Sequence, residues 1–183
     1  GHKFPTAFPS RRAWIHFTVT DSAGAIVFES GAFGPDGAIS GNDNDADGAQ
    51  YEIHYETVNR ADQVQIYEAI LQTADGRVTT SVLSAAGYLK DNRLLPAGFE
   101  KAAPYPDIKV RGGAMEDETF LGGSDAVTYL VPLGSGSGPY TVTAELLFQT
   151  IGVRWADYLR RAQGAEIARF LGAYASVPNA PVV

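Results

Sequence analysis

His2, set between Gly1 and Lys3, is the residue whose type and setting most readily do chemistry. A neutral imidazole is a standard axial ligand for haem iron. The glycine before it has no Cβ to hold a bulky planar group away. Pro5 and Pro9 fix φ and remove backbone donors, so residues 1–12 are predicted to be extended and stiff. Without that chemistry, His2 is an exposed residue in a frayed end. The second constellation is Asn42-Asp43-Asn44-Asp45-Ala46-Asp47-Gly48. Carboxylates at alternate positions before a glycine resemble the first half of an EF-hand loop, and several oxygens from one short loop suit Ca²⁺. The expected ligands are Asp43, Asp45 and Asp47, with Glu52 or else Glu56 closing the shell. The match is partial, since position twelve from Asp43 is His54 rather than glutamate and no helix pattern flanks the loop. Three uncompensated carboxylates repel one another, which favours a cation. A solvated turn made of Asp, Asn and Gly is the plainer reading.

His16 and His54 fall in predicted strands near aromatic residues and are expected to be hydrogen-bonded structural histidines, since no third zinc ligand is in register with them. Asp91, Asn92 and Asp125 are expected to brace loops through backbone hydrogen bonds. There is no Gly-x-Ser-x-Gly, no His-Glu-x-x-His and no Gly-x-x-x-x-Gly-Lys-Ser/Thr, and nothing selects a carboxylate pair for glycoside cleavage. Catalysis by this chain alone is not expected.

Composition narrows the classes further. Of 183 residues 45% are hydrophobic and 19% charged, and 9 Phe, 9 Tyr and 2 Trp supply apolar area enough for one sizeable core. With 14 Lys and Arg against 21 Asp and Glu the net charge is −7, which argues against nucleic acid as a partner. No apolar run approaches the roughly 20 residues that span a bilayer, so no transmembrane segment is expected. The absence of cysteine removes disulfides, thiol nucleophiles, iron–sulfur clusters, Cys-ligated zinc and covalent attachment of a c-type haem to this chain. It also fits a periplasmic or extracellular protein. The chain opens on Gly-His-Lys with no secretory leader, the start expected of a processed product or of a piece of something longer.

The elements that must position these residues are mostly strands. Residues 13–20 alternate Ile15, Phe17 and Val19 against Trp14, His16 and Thr18, and a turn at 21–24 leads to a second strand at 25–29, a hairpin. A Gly/Asp/Asn-rich loop spans 31–48. Residues 51–57 and 63–72 read as strands, 78–89 fits helix or strand, and Pro96, Pro104 and Pro106 make 93–111 an extended connection. Residues 126–133 and 140–151, joined by the Gly/Ser linker 134–138, read as a second hairpin. From 153 to 174 the period changes to that of an amphipathic helix, weakened at Gly164, where a break would leave two shorter helices. The expected fold is mainly β: an antiparallel Ig-like β-sandwich over residues 13–151 with one C-terminal amphipathic helix at 152–175 and a tail at 176–183.

Four strings carry a family resemblance: Gly1-His2-Lys3-Phe4-Pro5-Thr6 with Pro9-Ser10-Arg11-Arg12; Gln63-Val64-Gln65-Ile66-Tyr67-Glu68; Lys90-Asp91-Asn92-Arg93-Leu94-Leu95-Pro96; and Gly122-Gly123-Ser124-Asp125-Ala126-Val127-Thr128-Tyr129. From residue 1 to about 148 the chain resembles the non-haem C-terminal region of bacterial multihaem c-type cytochromes related to the cytochrome c554 group. The first and third strings are the most specific. Ala7 stands where that family usually has glycine. In such proteins Cys-x-x-Cys-His haem sites precede this region, and the Gly-His-x-x-Pro-Thr element supplies a distal haem ligand. The resemblance therefore implies His2 as an axial ligand to a haem c carried by another segment or subunit, which would be the partner. A second imidazole would make the iron six-coordinate and favour outer-sphere electron transfer. The alternative is a calcium-stabilised extracellular binding or structural module with no redox role.

Overall fold

The computed structural model describes residues 1–102, 105–134 and 136–183. Pro104 of the extended connection and Ser135 of the Gly/Ser linker lie outside the described residues. The chain is mainly β, with strands β1 Arg12–Thr20, β2 Ile26–Ser30, β3 Thr57–Val58, β4 Ile66–Tyr67, β5 Ala69–Gln72, β6 Val78–Thr79, β7 Gly87–Asp91, β8 Thr128–Tyr129 and β9 Thr141–Gln149. Helices α1 Asp43–Ala46, α2 Val153–Arg160 and α3 Ala165–Ser176 complete it.

β1 is the axis of the fold. Along one side all nine of its residues pair antiparallel with β9, from Arg12 opposite Gln149 to Thr20 opposite Thr141. Along the other side Ala13 and Trp14 pair with β4, and Phe17 to Thr20 pair with β2. The predicted first hairpin is thus present, with a register shift at Val19/Thr20. β5 lies between β6 and β7 in a second sheet, and β3 pairs parallel with β8 in a third.

The alternation of β1 carries two cores rather than one. Trp14, Leu147 and Ile66 share a face and bury against Ile39 and Val64. The opposite face puts Val19 and Phe28 against Val58, with Phe17 stacked on Tyr129 at 3.9 Å. Lower on that face Tyr67, opposite Ala13, joins Leu95, Val110, Ala114 and Phe120. Both faces of β1 are thus packed, while β9 stays exposed over residues 141–144, and the long loops that supply the packing must be pinned by polar contacts.

Several expectations are corrected. The second hairpin does not form, because β9 matches β1 in register and β8 goes to β3. Alternation announces a strand but not its partner, and nine continuous pairs outweigh a local turn. Residues 63–72 are two strands in different sheets, broken at buried Glu68, whose N–H goes sideways to the Asn92 side chain at 3.0 Å. Of 51–57 only Thr57 is in a strand, since the Tyr55 N–H is taken by the Gln65 side chain at 2.8 Å. Residues 78–89 hold β6, a 3₁₀ turn at Val82–Ser84 and the start of β7. The single C-terminal helix is two, with Gly164 as the N-cap of α3.

Candidate functional site

The amino-terminal segment is clamped down along its length. Gly1 sits so close to the body that a Cβ there would lie 2.7 Å from Cβ of Pro96. Phe4 and Leu94 exchange both backbone hydrogen bonds, at 2.8 and 2.7 Å. Between them the Lys3 Nζ donates to Asp91 Oδ2 at 2.9 Å and lies over the Phe99 ring. Downstream, Phe8 packs edge-on against Trp155, and the Gly152 N–H donates to the Ser10 carbonyl at 2.9 Å. Ala7 adopts φ 65°, the left-handed region that favours glycine. His2 is left exposed between two fixed neighbours, and its ring makes no hydrogen bond among the described residues.

Beneath this segment lies a frame of buried polar groups. Asp91, fully buried, accepts from Lys3 and from both Nε and Nη2 of Arg93, each at 2.8 Å for the arginine. This fork holds the first turn of the segment against β7. Next to it Asn92 braces β4 and β5, its Oδ1 accepting from the Glu68 N–H and its Nδ2 donating to the Ile66 carbonyl. Those backbone partners fix which way the amide points, as the Tyr55 N–H fixes Gln65. Both amides therefore aim N–H groups at the His54 Nδ1, from 2.8 Å for Gln65 and 3.0 Å for Asn92. Nδ1 must be bare, so the proton is on Nε2, which donates to Asp117 at 3.0 Å. Burial keeps His54 neutral by lowering its pKa, despite the opposing pull of Asp117 and Asp125. Burial alone would raise Asp117, but hydrogen bonds from His54 and from the Thr119 N–H and hydroxyl hold it below the usual carboxylate range. Tyr67 closes the frame by donating to Asp125 at 2.7 Å, and burial with this bond drives its phenol far above the usual tyrosine range.

His54, Asp117 and Asp125 place ligand atoms within 4.8 Å of one another. That spacing invites a metal, but the hydrogen bonds oppose it. A metal on Nε2 would leave a neutral ring with its proton on Nδ1, facing two N–H groups that cannot turn away. The cluster is a structural brace.

The acidic loop is arranged otherwise than an EF-hand. Asp43 opens the one-turn helix α1 and Asp47 caps its end, both exposed. Asp45 points inward, where Oδ1 meets the buried Arg12 guanidinium at 2.7 Å and Oδ2 accepts from the Ile39 N–H at 2.8 Å. Arg12 also donates to Gln149 and to the Gly37 carbonyl, so it pins loop 31–48 onto β1 and β9. Glu52 is buried apart, accepting from the Asp43 and Val64 N–H groups at 3.3 and 3.4 Å, its carboxyl raised by burial. Among the described residues these four carboxylates do not converge on one point. Sequence reasoning missed Arg12 as the counter-charge of Asp45. It also missed Lys90, which lies buried with its Nζ on the Glu52 carbonyl and Glu68, and the buried Arg154 beside the same glutamate. No local signal marks a lysine in a strand as buried; only the pairing of β5 with β7 reveals it.

Parts of the four family-like strings meet in one place. Residues 1–4 lie on 91–96, the Gly123 N–H donates to the Leu95 carbonyl at 2.9 Å, and Asp125 receives Tyr67. Residues 65–68 are tied to Asn92 and, through Gln65, to His54. His2 stands at the rim of that assembly. Searched against protein-family models, curated proteins and solved structures, the chain finds no match.

Proposed function

We propose that this chain is a non-catalytic β module, of Ig-like sandwich design, in a periplasmic or extracellular multihaem c-type cytochrome assembly. It docks or caps haem-bearing polypeptide and presents His2 as a distal ligand. The observation that supports this reading is the convergence of the resemblance-bearing strings beneath His2. Residues far apart in sequence meet beside an exposed imidazole whose neighbours are tied down: Gly1 lies against Pro96, the Lys3 side chain pairs with Asp91, and the Phe4 backbone bonds to Leu94. An exposed ring with no hydrogen bond among the described residues fits a planar group brought by another polypeptide. The haem would supply the redox couple, and this chain's part is to hold one axial nitrogen in place and keep small ligands off. Holding the backbone first lowers the ordering cost when the partner arrives.

Intact mass and a visible spectrum of the native assembly test the proposal. His2→Ala should turn one low-spin haem into a high-spin or vacant-site signature while far-UV circular dichroism stays the same. An unchanged haem spectrum overturns axial ligation by His2. A colourless native protein whose melting temperature rises with Ca²⁺ and falls with chelator supports instead the calcium-stabilised module.

A further inference from the structure

β9 is an edge strand, and most of its outer edge is open. At its far end Phe148 and Val182 exchange both backbone hydrogen bonds, at 2.8 and 3.0 Å, so the outward N–H and C=O groups belong to Phe148. By the alternation of an antiparallel ladder, Leu146, Ala144 and Val142 also point theirs outward. None of these three has an outward backbone partner among the described residues. Their side chains share the face of Ile15, Phe17 and Val19, yet Val142 is 59% and Leu146 is 42% exposed.

Natural edges are blunted by shortness, lysine, proline, a bulge or a cover. Between Val142 and Leu146 β9 has no lysine, proline or bulge, its one charge, Glu145, lies 3.4 Å from the His16 ring of β1, and its register with β1 runs unbroken over nine residues. The Phe148–Val182 bridge demonstrates that this edge accepts an antiparallel strand.

We infer that the open edge of β9 pairs antiparallel with β9 of a second copy of this chain, forming a two-fold dimer with one continuous sheet. The segment is self-complementary in the register that centres the axis on Ala144. Val142 then faces Leu146 of the second copy and Thr143 faces Glu145, so apolar groups meet on one side, while on the other no like charges stand directly opposite and the two Glu145 carboxylates are diagonal neighbours, each beside His16 of its own chain. Each outward N–H and C=O from 142 to 146 finds a partner, and the pairing stops short of the edge already taken by the tail at Phe148. The net charge of −7 on each copy opposes the contact, so added salt strengthens it.

Sedimentation velocity across about 1 µM to about 1 mM tests this. The chain should pass from monomer to dimer, with tighter association as salt rises. Ala144→Pro removes an outward N–H without touching the ladder to β1, and Leu146→Lys puts a charge on the exposed edge. Each should weaken the dimer at least about tenfold with unchanged circular dichroism. Val142→Lys, at a more exposed position, replaces either variant that fails to fold. A wild-type chain that stays monomeric throughout overturns the inference. So does a dimer that none of these substitutions weakens.

Discussion

Acid should weaken this fold through one residue, His54. Unfolded, its imidazole titrates near about pH 6.5. Folded, its pKa is lowered by burial, and its free nitrogen faces N–H groups of Gln65 and Asn92 whose orientations the backbone sets. As pH falls below about 6.5 the unfolded chain gains a proton that the folded chain refuses, so stability drops by up to about 1.4 kcal/mol per pH unit. Between about pH 7.5 and about pH 5.5 the loss from this residue is at most about 1.4 kcal/mol, the limit reached when the folded ring stays neutral throughout. Asp117 acts in the same direction but lower. Its depressed pKa gives stability above the unfolded value of about 3.9 that is lost only as pH falls past it. Urea unfolding of the wild type and of His54→Gln at both pH values isolates the effect, because groups away from this site cancel in the difference. Gln keeps an amide donor for Asp117 and does not titrate. Equal pH dependence of the two proteins would refute a buried neutral His54, and so would a wild type that gains stability in mild acid.

Ala7→Gly relieves a left-handed φ of 65°, worth about 1–2 kcal/mol, against about 0.4–1 kcal/mol of added unfolded-state entropy. The variant should melt about 2–4 °C higher by differential scanning calorimetry. Asp91→Ala leaves Lys3 and Arg93 without their shared counter-charge and should cost about 3 kcal/mol in urea unfolding. Hydrogen exchange at the Phe4 and Leu94 amides should accelerate before that of β1. Asp45→Ala strands the buried Arg12 and should cost about 3–5 kcal/mol, equally with Ca²⁺ and with chelator. A loss confined to Ca²⁺-containing buffer would restore the cation reading of the loop.

The parts legible in the sequence were those in which neighbours decide the outcome. β1 and β2 follow from alternation around a four-residue turn, and the helical period beyond residue 152 with a weak point at Gly164 corresponds to α2 and α3. The partner of β9 was not legible, because residues 141–149 alternate equally well whether they pair with residues just before them or with β1 at the opposite end of the chain. The acidic loop misled for a related reason. Spacing suggested carboxylates gathered around an ion, but a four-residue helix separates Asp43 from Asp47, and the charge that meets Asp45 belongs to Arg12, thirty-three residues earlier. The setting of His54 marks it as a structural histidine, yet Asp117 and Asn92, which settle its protonation, come from distant parts of the chain.

The marriage of β1 to β9 also sets a timetable for biosynthesis. Arg12 leaves the ribosome 137 residues ahead of Gln149, its partner across the ladder. At about 5–20 residues per second the central strand waits on the order of 10 s with one flank bare. Throughout that interval Trp14, Ile15 and Phe17 are a sticky apolar ribbon. Nascent chains are thus vulnerable to association with one another until residues 141–149 have emerged, and truncation ahead of residue 141 should yield aggregate rather than a smaller folded protein.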